Sequence, residues 1–255
     1  MLLAVDVGNT DTVLGVFDGA DLVADFRLHT EARATGAELG LLVASLLRGA
    51  GIEPGAISAV VIGSVVPALT RSLEELSRGQ FGQSPLIVGP GVRTGIRIHY
   101  DDVSQVGADR IANAVAAHHL YGGPAIICDF GTATTVDAID AAGDYLGGAV
   151  APGILVSHDA LVEHAARLSR VEFAAPAAVL GRNSRASLQA GLVFGYAGLV
   201  EGLVARMRRE MDGDPKLILT GGLAPLMAGL ISDVHATDER LTLVGLRLIH
   251  ELNAA

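Results

Sequence analysis

Asp6-Val7-Gly8-Asn9-Thr10-Asp11-Thr12 and Asp129-Phe130-Gly131-Thr132-Ala133-Thr134-Thr135 open alike, and superposing Asp6 on Asp129 also superposes Gly8 on Gly131 and Thr12 on Thr135. The repeat distance is close to half the chain. Each stretch leaves a β-rich apolar run. The first run is read as strand Leu2 to Val7, followed by Thr12 to Phe17, an Asp18-Gly19 turn and Leu22 to Leu28. The second is read as Ala125 to Phe130, Thr134 to Ile139, a turn at Gly143, and Tyr145 to Val150. A three-stranded meander that recurs predicts a duplicated domain.

Outward from each meander the pattern turns helical. Thr35 to Gly49 carries Leu39, Leu42, Val43, Leu46 and Leu47 at helical spacing, with Gly49 and Gly51 as a stop. A buried strand Ala59 to Val66, a helix after Pro67, a short strand Pro85 to Val88 and a helix Gly107 to Tyr121 follow. The second half reads as helices Ile154 to Arg167 and Ser184 to Met211, strand Leu217 to Leu219, and helices around Leu223 to Ile231 and Leu241 to Leu252. Strands followed by helices, twice, imply two α/β domains, 1–122 and 123–255, facing a cleft.

Half of the 255 residues are hydrophobic, enough for one large core or two modest ones. The 32 glycines and nine prolines are scattered between apolar runs, which suggests tight turns rather than a flexible linker. A formal net charge of −10 makes nucleic acid or an anionic membrane a poor partner. An anionic ligand would be held locally, by backbone N–H groups, a metal ion or a few arginines. Asp6 interrupts the first apolar run too early for a secretory signal, and no window reads as an unbroken membrane span. The single cysteine, Cys128, lies in an apolar strand and reads as inert. A cytoplasmic location is the expectation.

Glycine third in each loop lets a phosphate approach the backbone without meeting a Cβ. Asn9, Thr10, Thr12, Thr132, Thr134 and Thr135 add donors for phosphate oxygens. Asp6 and Asp129 would repel phosphate directly, so they are read as holding cations or metal-bound waters. Asp-x-Gly is also a plain strand-to-turn signal; its duplication favours the phosphate reading. Leu217-Ile218-Leu219-Thr220-Gly221-Gly222 is either a flat surface under an adenine or an ordinary turn. Asp109, at a helix start, is either a general base or a first-turn acid paired with Arg110.

Together these elements resemble the acetate kinase/sugar kinase/Hsp70/actin superfamily, and nearly end to end the chain resembles type III pantothenate kinases. That closer likeness rests also on Ser64-Val65-Val66-Pro67, Gly107-Ala108-Asp109-Arg110, Tyr145-Leu146-Gly147-Gly148, Ala151-Pro152-Gly153 and Gly245-Leu246-Arg247-Leu248-Ile249. The resemblance implies two duplicated ribonuclease H-like, actin-like ATPase domains, with mixed sheets flanked by helices. It implies ATP with Mg²⁺ as phosphoryl donor and pantothenate as acceptor, in the first step of coenzyme A synthesis. The nucleotide residues it implies are Asp6, Val7, Gly8, Asn9, Thr10, Asp11, Thr12, Val13, Thr132 and Gly221, with Asp6 nearest Mg²⁺. It implies substrate residues Tyr100, Gly107, Ala108, Asp109, Arg110 and Ser184, where Asp109 is the base and Ser184 stands for the usual threonine. Asp129 matches a monovalent-cation residue, for K⁺ or NH₄⁺. Val103, where proline is common, and Val244, where an acid is common, depart from the pattern. A homodimer is implied, and the apolar circumference of the Ser184 helix serves either core packing or a subunit interface.

Three coincidences carry no weight in the sequence. Asp129-Phe130-Gly131 lacks the other protein-kinase motifs, Ser157-His158-Asp159 is consecutive and cannot converge, and His118 with His119 is poorly spaced for a metal. Two rival functions share the expected fold: a regulatory accessory protein, and a phosphatase or ATPase in which water replaces the alcohol.

Overall fold

The computed structural model describes residues 1–165 and 170–254. It contains two five-stranded mixed sheets, in separate compact units. The first unit is built from residues 1–96, 100–116 and 241–255, the second from 97–99 and 117–240.

In the first unit β1 (Leu2–Val7), β2 (Asp11–Asp18) and β3 (Asp21–His29) form the antiparallel meander. β4 (Ala59–Ser64) and β5 (Leu86–Ile87) extend the sheet in parallel, giving the order β3-β2-β1-β4-β5. α1 (Gly36–Gly49) and α2 (Pro67–Phe81) return the chain between the parallel strands, as parallel pairing requires. Thr35 and Glu38 close a reciprocal capping box at the start of α1. Leu3, Val5, Val7, Leu14, Val16 and Ile62 share one core with Val43, Leu47, Leu69 and Leu73 from the helices.

The second unit repeats this order. β6 (Ala125–Phe130), β7 (Ala133–Ile139) and β8 (Tyr145–Pro152) are the meander, and β9 (Lys216–Thr220) and β10 (Val234–Thr237) add in parallel. The sheet order is β10-β9-β6-β7-β8, the counterpart of the first with its directions conserved. α4 (Ile154–His164), α5 (Ser184–Glu210) and α6 (Ala224–Ala228) accompany it. The expected end of α4 at Arg167 lies outside the described residues. β10 is a strand that sequence reading omitted.

The units depart from the expected division at 122/123. α3 (Ala108–Tyr121) is split after Ala116, and α7 (Leu241–Ala254) belongs with the first sheet. Glycines explain the second point. A Cβ on Gly15 would meet Leu243 Cδ1 at 2.9 Å, and one on Gly63 would meet Leu246 Cδ2 at 2.9 Å. A Cβ on Gly245 would overlap the Ala112 carbonyl. Bare backbone on strand and helix thus lets α7 lie on β1, β2 and β4 and against α3. Arg247, 7% exposed, is held there by Glu251 at 2.5 Å and by the Phe17 ring at 5.7 Å.

α5 corrects another expectation. By length and composition it is apolar enough to cross a membrane. Its Leu192, Val193, Tyr196, Ala197, Val200 and Val204 are nevertheless buried in the second unit's core, with Ile126, Cys128 and Leu219 from the sheet. Core packing therefore accounts for one face of this helix. Burial, then Asp129 and Asp137, push the Cys128 thiol well above its ordinary range, so it is inert as expected.

Candidate active site

Gly8, Asn9 and Thr10 connect β1 to β2. The Gly8 N–H donates to the Asp11 carbonyl at 2.9 Å, and a Cβ on Gly8 would come within 3.0 Å of that oxygen. A side chain there would crowd the turn, a second reason for glycine beside the phosphate approach expected. Asn9 and Thr10 are exposed at the tip. The Asp11 carboxylate is paired with Arg27 of β3 at 3.0 Å, which offsets a negative charge in the loop.

Thr12 also differs from expectation. Its Oγ1 lies 2.9 Å from Thr30 Oγ1, and the Thr30 hydroxyl donates to the Gly8 carbonyl at 2.8 Å. Thr30 has one hydroxyl hydrogen, so Thr12 must be the donor of the pair. The hydrogen expected to reach a phosphate oxygen is committed inside the fold.

The second loop is one residue shorter. Val7 pairs with Thr12 in β1–β2, whereas Phe130 pairs with Thr134 in β6–β7. The structural counterpart of Thr12 is thus Thr134, and the superposition on Thr135 slips by one. The Gly131 N–H closes this turn on the Ala133 carbonyl at 3.0 Å, and the Gly153 N–H donates to Thr132 O at 3.0 Å.

Thr135 stands opposite Asp129 across the ladder. The hydroxyl oxygens of Thr134 and Thr135 are buried with no hydrogen-bond partner among the described residues. Gly221 has φ +88°, and a Cβ there would overlap Asp129 Oδ1 and lie 2.7 Å from the Phe130 N and O atoms. Its conformational freedom lets the end of β9 lie against Asp129. A carboxylate facing an orphaned hydroxyl is an oxygen donor set that suits a hard monovalent cation. Among the described residues no group of three or more His, Cys, Asp or Glu is arranged to hold a metal.

Gly107-Ala108-Asp109-Arg110 begins α3. Asp109 Oδ1 accepts the Arg110 N–H at 2.8 Å and folds back over Gly107, where a Cβ would overlap it. Gly107 thus makes room for the catalytic candidate's own carboxylate. The same Cβ would lie 3.4 Å from Val65 Cγ1, and the Val65 N–H donates to the Val7 carbonyl at 3.1 Å. Val65 thus lies beside Gly107 and is bonded to the end of β1, where the first loop begins. Ala108 and Arg110 are buried, and Tyr100 is 37% exposed in the segment that precedes them.

Ser184 opens α5 in the second unit, after the N-cap Asn183, whose side chain accepts the Ala186 N–H at 2.9 Å. Arg182, Asn183, Ser184 and Leu188 line an open groove of about 640 Å³. Ser157-His158-Asp159 is no triad: Ser157 bonds Tyr196, and His158 Nε2 accepts the Val171 N–H at 3.1 Å. Thr30 escaped sequence reading, and Val65 and Gly153 were given no role by it. Ser64-Val65 and Ala151-Pro152-Gly153 were visible as motifs, but Thr30 carried no signal of its own.

The type III pantothenate kinase sequence profile matches residues 2–206. A type III pantothenate kinase from Anaeromyxobacter sp. strain Fw109-5 is 52% identical over 253 residues, covering 99% of this chain and 100% of that protein. The chain belongs to the type III pantothenate kinase family.

Two solved structures share the fold over 99% of this chain. One, a Campylobacter jejuni protein described as a Baf family transcriptional activator, has TM-score 0.63 at 20% identity and is covered over 98% of its length. The other, the activator of 2-hydroxyisocaproyl-CoA dehydratase from Clostridium difficile with bound ADPNP, has TM-score 0.61 at 12% identity and 96% coverage. At these identities the likeness concerns the fold, an actin-like ATPase architecture of two related α/β units. The type III pantothenate kinase family is one of ATP-dependent phosphotransferases, and this chain is a kinase. Its Val103 departure is absorbed locally. Val103 starts a 3₁₀ turn that Asp102 caps by accepting the Ser104 N–H at 3.0 Å and hydroxyl at 2.6 Å. Those bonds, the hydroxyl's first, hold the Asp102 carboxyl below its ordinary range. Nothing in the structure explains Val244.

Proposed function

We propose that the chain transfers the γ-phosphoryl group of ATP to the primary hydroxyl of pantothenate, with Asp109 as general base. The observation that carries this reading is the Asp109 carboxylate folded over Gly107, whose neighbour Val65 is hydrogen-bonded to Val7 at the end of β1, where the first loop begins. Phosphoryl transfer to an alcohol needs that juxtaposition of base and phosphate loop.

One carboxylate oxygen, Oδ1, is fixed by the Arg110 amide, which leaves Oδ2 to receive the hydroxyl proton as the oxygen attacks the γ-phosphorus and the bond to ADP breaks. Asn9 and Thr10, exposed at the first loop, hold the phosphates; Val7, Gly8, Asp11, Thr12 and Val13 shape that loop. Asp6 is the residue that would hold Mg²⁺, which would supply charge compensation on the phosphates. Asp129 and Thr135 hold a monovalent cation, with Thr132 and Gly221 on the nucleotide side of the second unit. Tyr100, Gly107, Ala108, Arg110 and Ser184 bind the acceptor.

Leu146 and Val150 on edge strand β8, with Leu155, Val156 and Leu161 on α4, are exposed and apolar, which supports a homodimer formed on the second unit. The proposed setting is cytoplasmic coenzyme A synthesis. ADP release should rise when pantothenate, but not other small alcohols, is added to the chain with ATP, Mg²⁺ and K⁺. ADP release that ignores pantothenate overturns the assignment.

A further inference from the structure

Thr30 follows the last residue of β3 and is 8% exposed. It touches the first loop at three points. Its N–H donates to the Thr10 carbonyl at 2.8 Å, its hydroxyl donates to the Gly8 carbonyl at 2.8 Å, and its Oγ1 accepts the Thr12 hydroxyl at 2.9 Å. Alternate residues of one short loop, Gly8, Thr10 and Thr12, therefore hang from a single side chain and its own amide.

The second unit supplies an internal control. β2–β3 pairs Asp11 with His29, and β7–β8 pairs Ala133 with Pro152, so the residues next beyond, Thr30 and Gly153, are counterparts. Gly153 keeps the backbone bond, to Thr132 O, but brings no hydroxyl. A Cβ at Gly153 would overlap the carbonyl oxygens of Gly131 and Thr132. The counterpart of Thr12, Thr134, is correspondingly buried with its hydroxyl unpartnered. The meander thus closes without the hydroxyl relay. Only the loop assigned to the phosphates carries it.

We propose that Thr30 is a positioning residue for the phosphoryl donor. Its relay through Thr12 and Gly8 fixes the first loop so that Asn9 and Thr10 meet the nucleotide phosphates in one conformation. This inference rests on the assignment of the first loop to ATP made above. It gives Thr12 an indirect role, as the donor that completes the relay.

Thr30→Val keeps the shape and the amide bond to Thr10 while removing the hydroxyl; Thr30→Ser keeps the hydroxyl. KM for each substrate is measured separately, with calorimetric Kd for a non-hydrolysable ATP analogue and the thermal midpoint. Thr30→Val should raise KM for ATP and the analogue Kd about tenfold, the loss expected when a buried carbonyl and hydroxyl lose their partner. KM for pantothenate should stay within about twofold, and Thr30→Ser should restore the analogue Kd to within about threefold, since the hydroxyl is retained. Equal change in both KM values, an unchanged analogue Kd, or a serine variant as impaired as the valine would each overturn the proposal. Should Thr30→Val fail to fold, Thr12→Val removes the relay from its other end, and an unchanged analogue Kd there overturns it equally. A wild-type chain that binds the analogue but leaves pantothenate unphosphorylated refutes the acceptor assignment alone, because the Thr30 test is read in nucleotide affinity. Failure of the wild-type chain to bind the analogue overturns both.

Discussion

The Oδ1 atom of Asp109 lies in the space that a Cβ on Gly107 would fill, so the proposed base rests on bare backbone two residues upstream. Gly107→Ala must therefore push the carboxylate aside. We expect kcat to fall by about a hundredfold, the cost of misplacing a catalytic group by roughly an ångström, with binding of an ATP analogue unchanged. A kcat within a few-fold of wild type would show that the carboxylate's resting place is immaterial.

Asp129 and Thr135 face each other across β6–β7, and the Thr135 hydroxyl has no partner among the described residues. If they hold a monovalent cation, activity should rise with K⁺ or NH₄⁺ at constant ionic strength, and Asp129→Asn should abolish that rise. Activation that persists in the variant places the cation elsewhere.

Gly245 permits the contact of α7 with the Ala112 carbonyl. Gly245→Ala inserts a methyl group against backbone and should cost about 1–3 kcal/mol, as overpacking does. The thermal midpoint should drop by about 2–4 °C for each kcal/mol in a chain of this size. An unchanged midpoint would mean that α7 slides at little cost.

Burial holds the His250 imidazole on α7 below its ordinary pKa of 6.5, with Glu251 partly countering. The folded state then binds protons less readily than the unfolded chain. His250 contributes stability that is present above pH 6.5 and lost as pH falls through the depressed folded value. Urea midpoints between pH 7.5 and pH 5 should therefore decline less in His250→Gln than in wild type. Identical slopes would remove His250 from the acid response.

The duplicated meander was legible because its first strands, Leu2–Val7 and Ala125–Phe130, are apolar runs that lead into matching Asp-x-Gly turns. β10 was not: Val234–Thr237 has four residues and exposes alternate side chains, so no apolar run announces it. Nor could sequence tell which sheet α7 covers, since that depends on Gly15 and Gly63 admitting Leu243 and Leu246, and on Gly245 lying against Ala112. In the site, Asp6, Asp109 and Asp129 stood out by their motifs. The Thr12–Thr135 match misled because one loop is a residue shorter, which only strand register reveals. Thr30, a lone threonine at a strand end, acquires meaning only beside Gly153.

The most direct measurement follows label from [γ-³²P]ATP in the presence of pantothenate, for the wild-type chain and for Asp109→Asn. The account predicts labelled phosphopantothenate from the wild type, and transfer slower by about 10²–10⁴-fold in the variant, the usual contribution of a general base. The variant should still bind nucleotide. Label released only as inorganic phosphate, or transferred equally fast by Asp109→Asn, would contradict it.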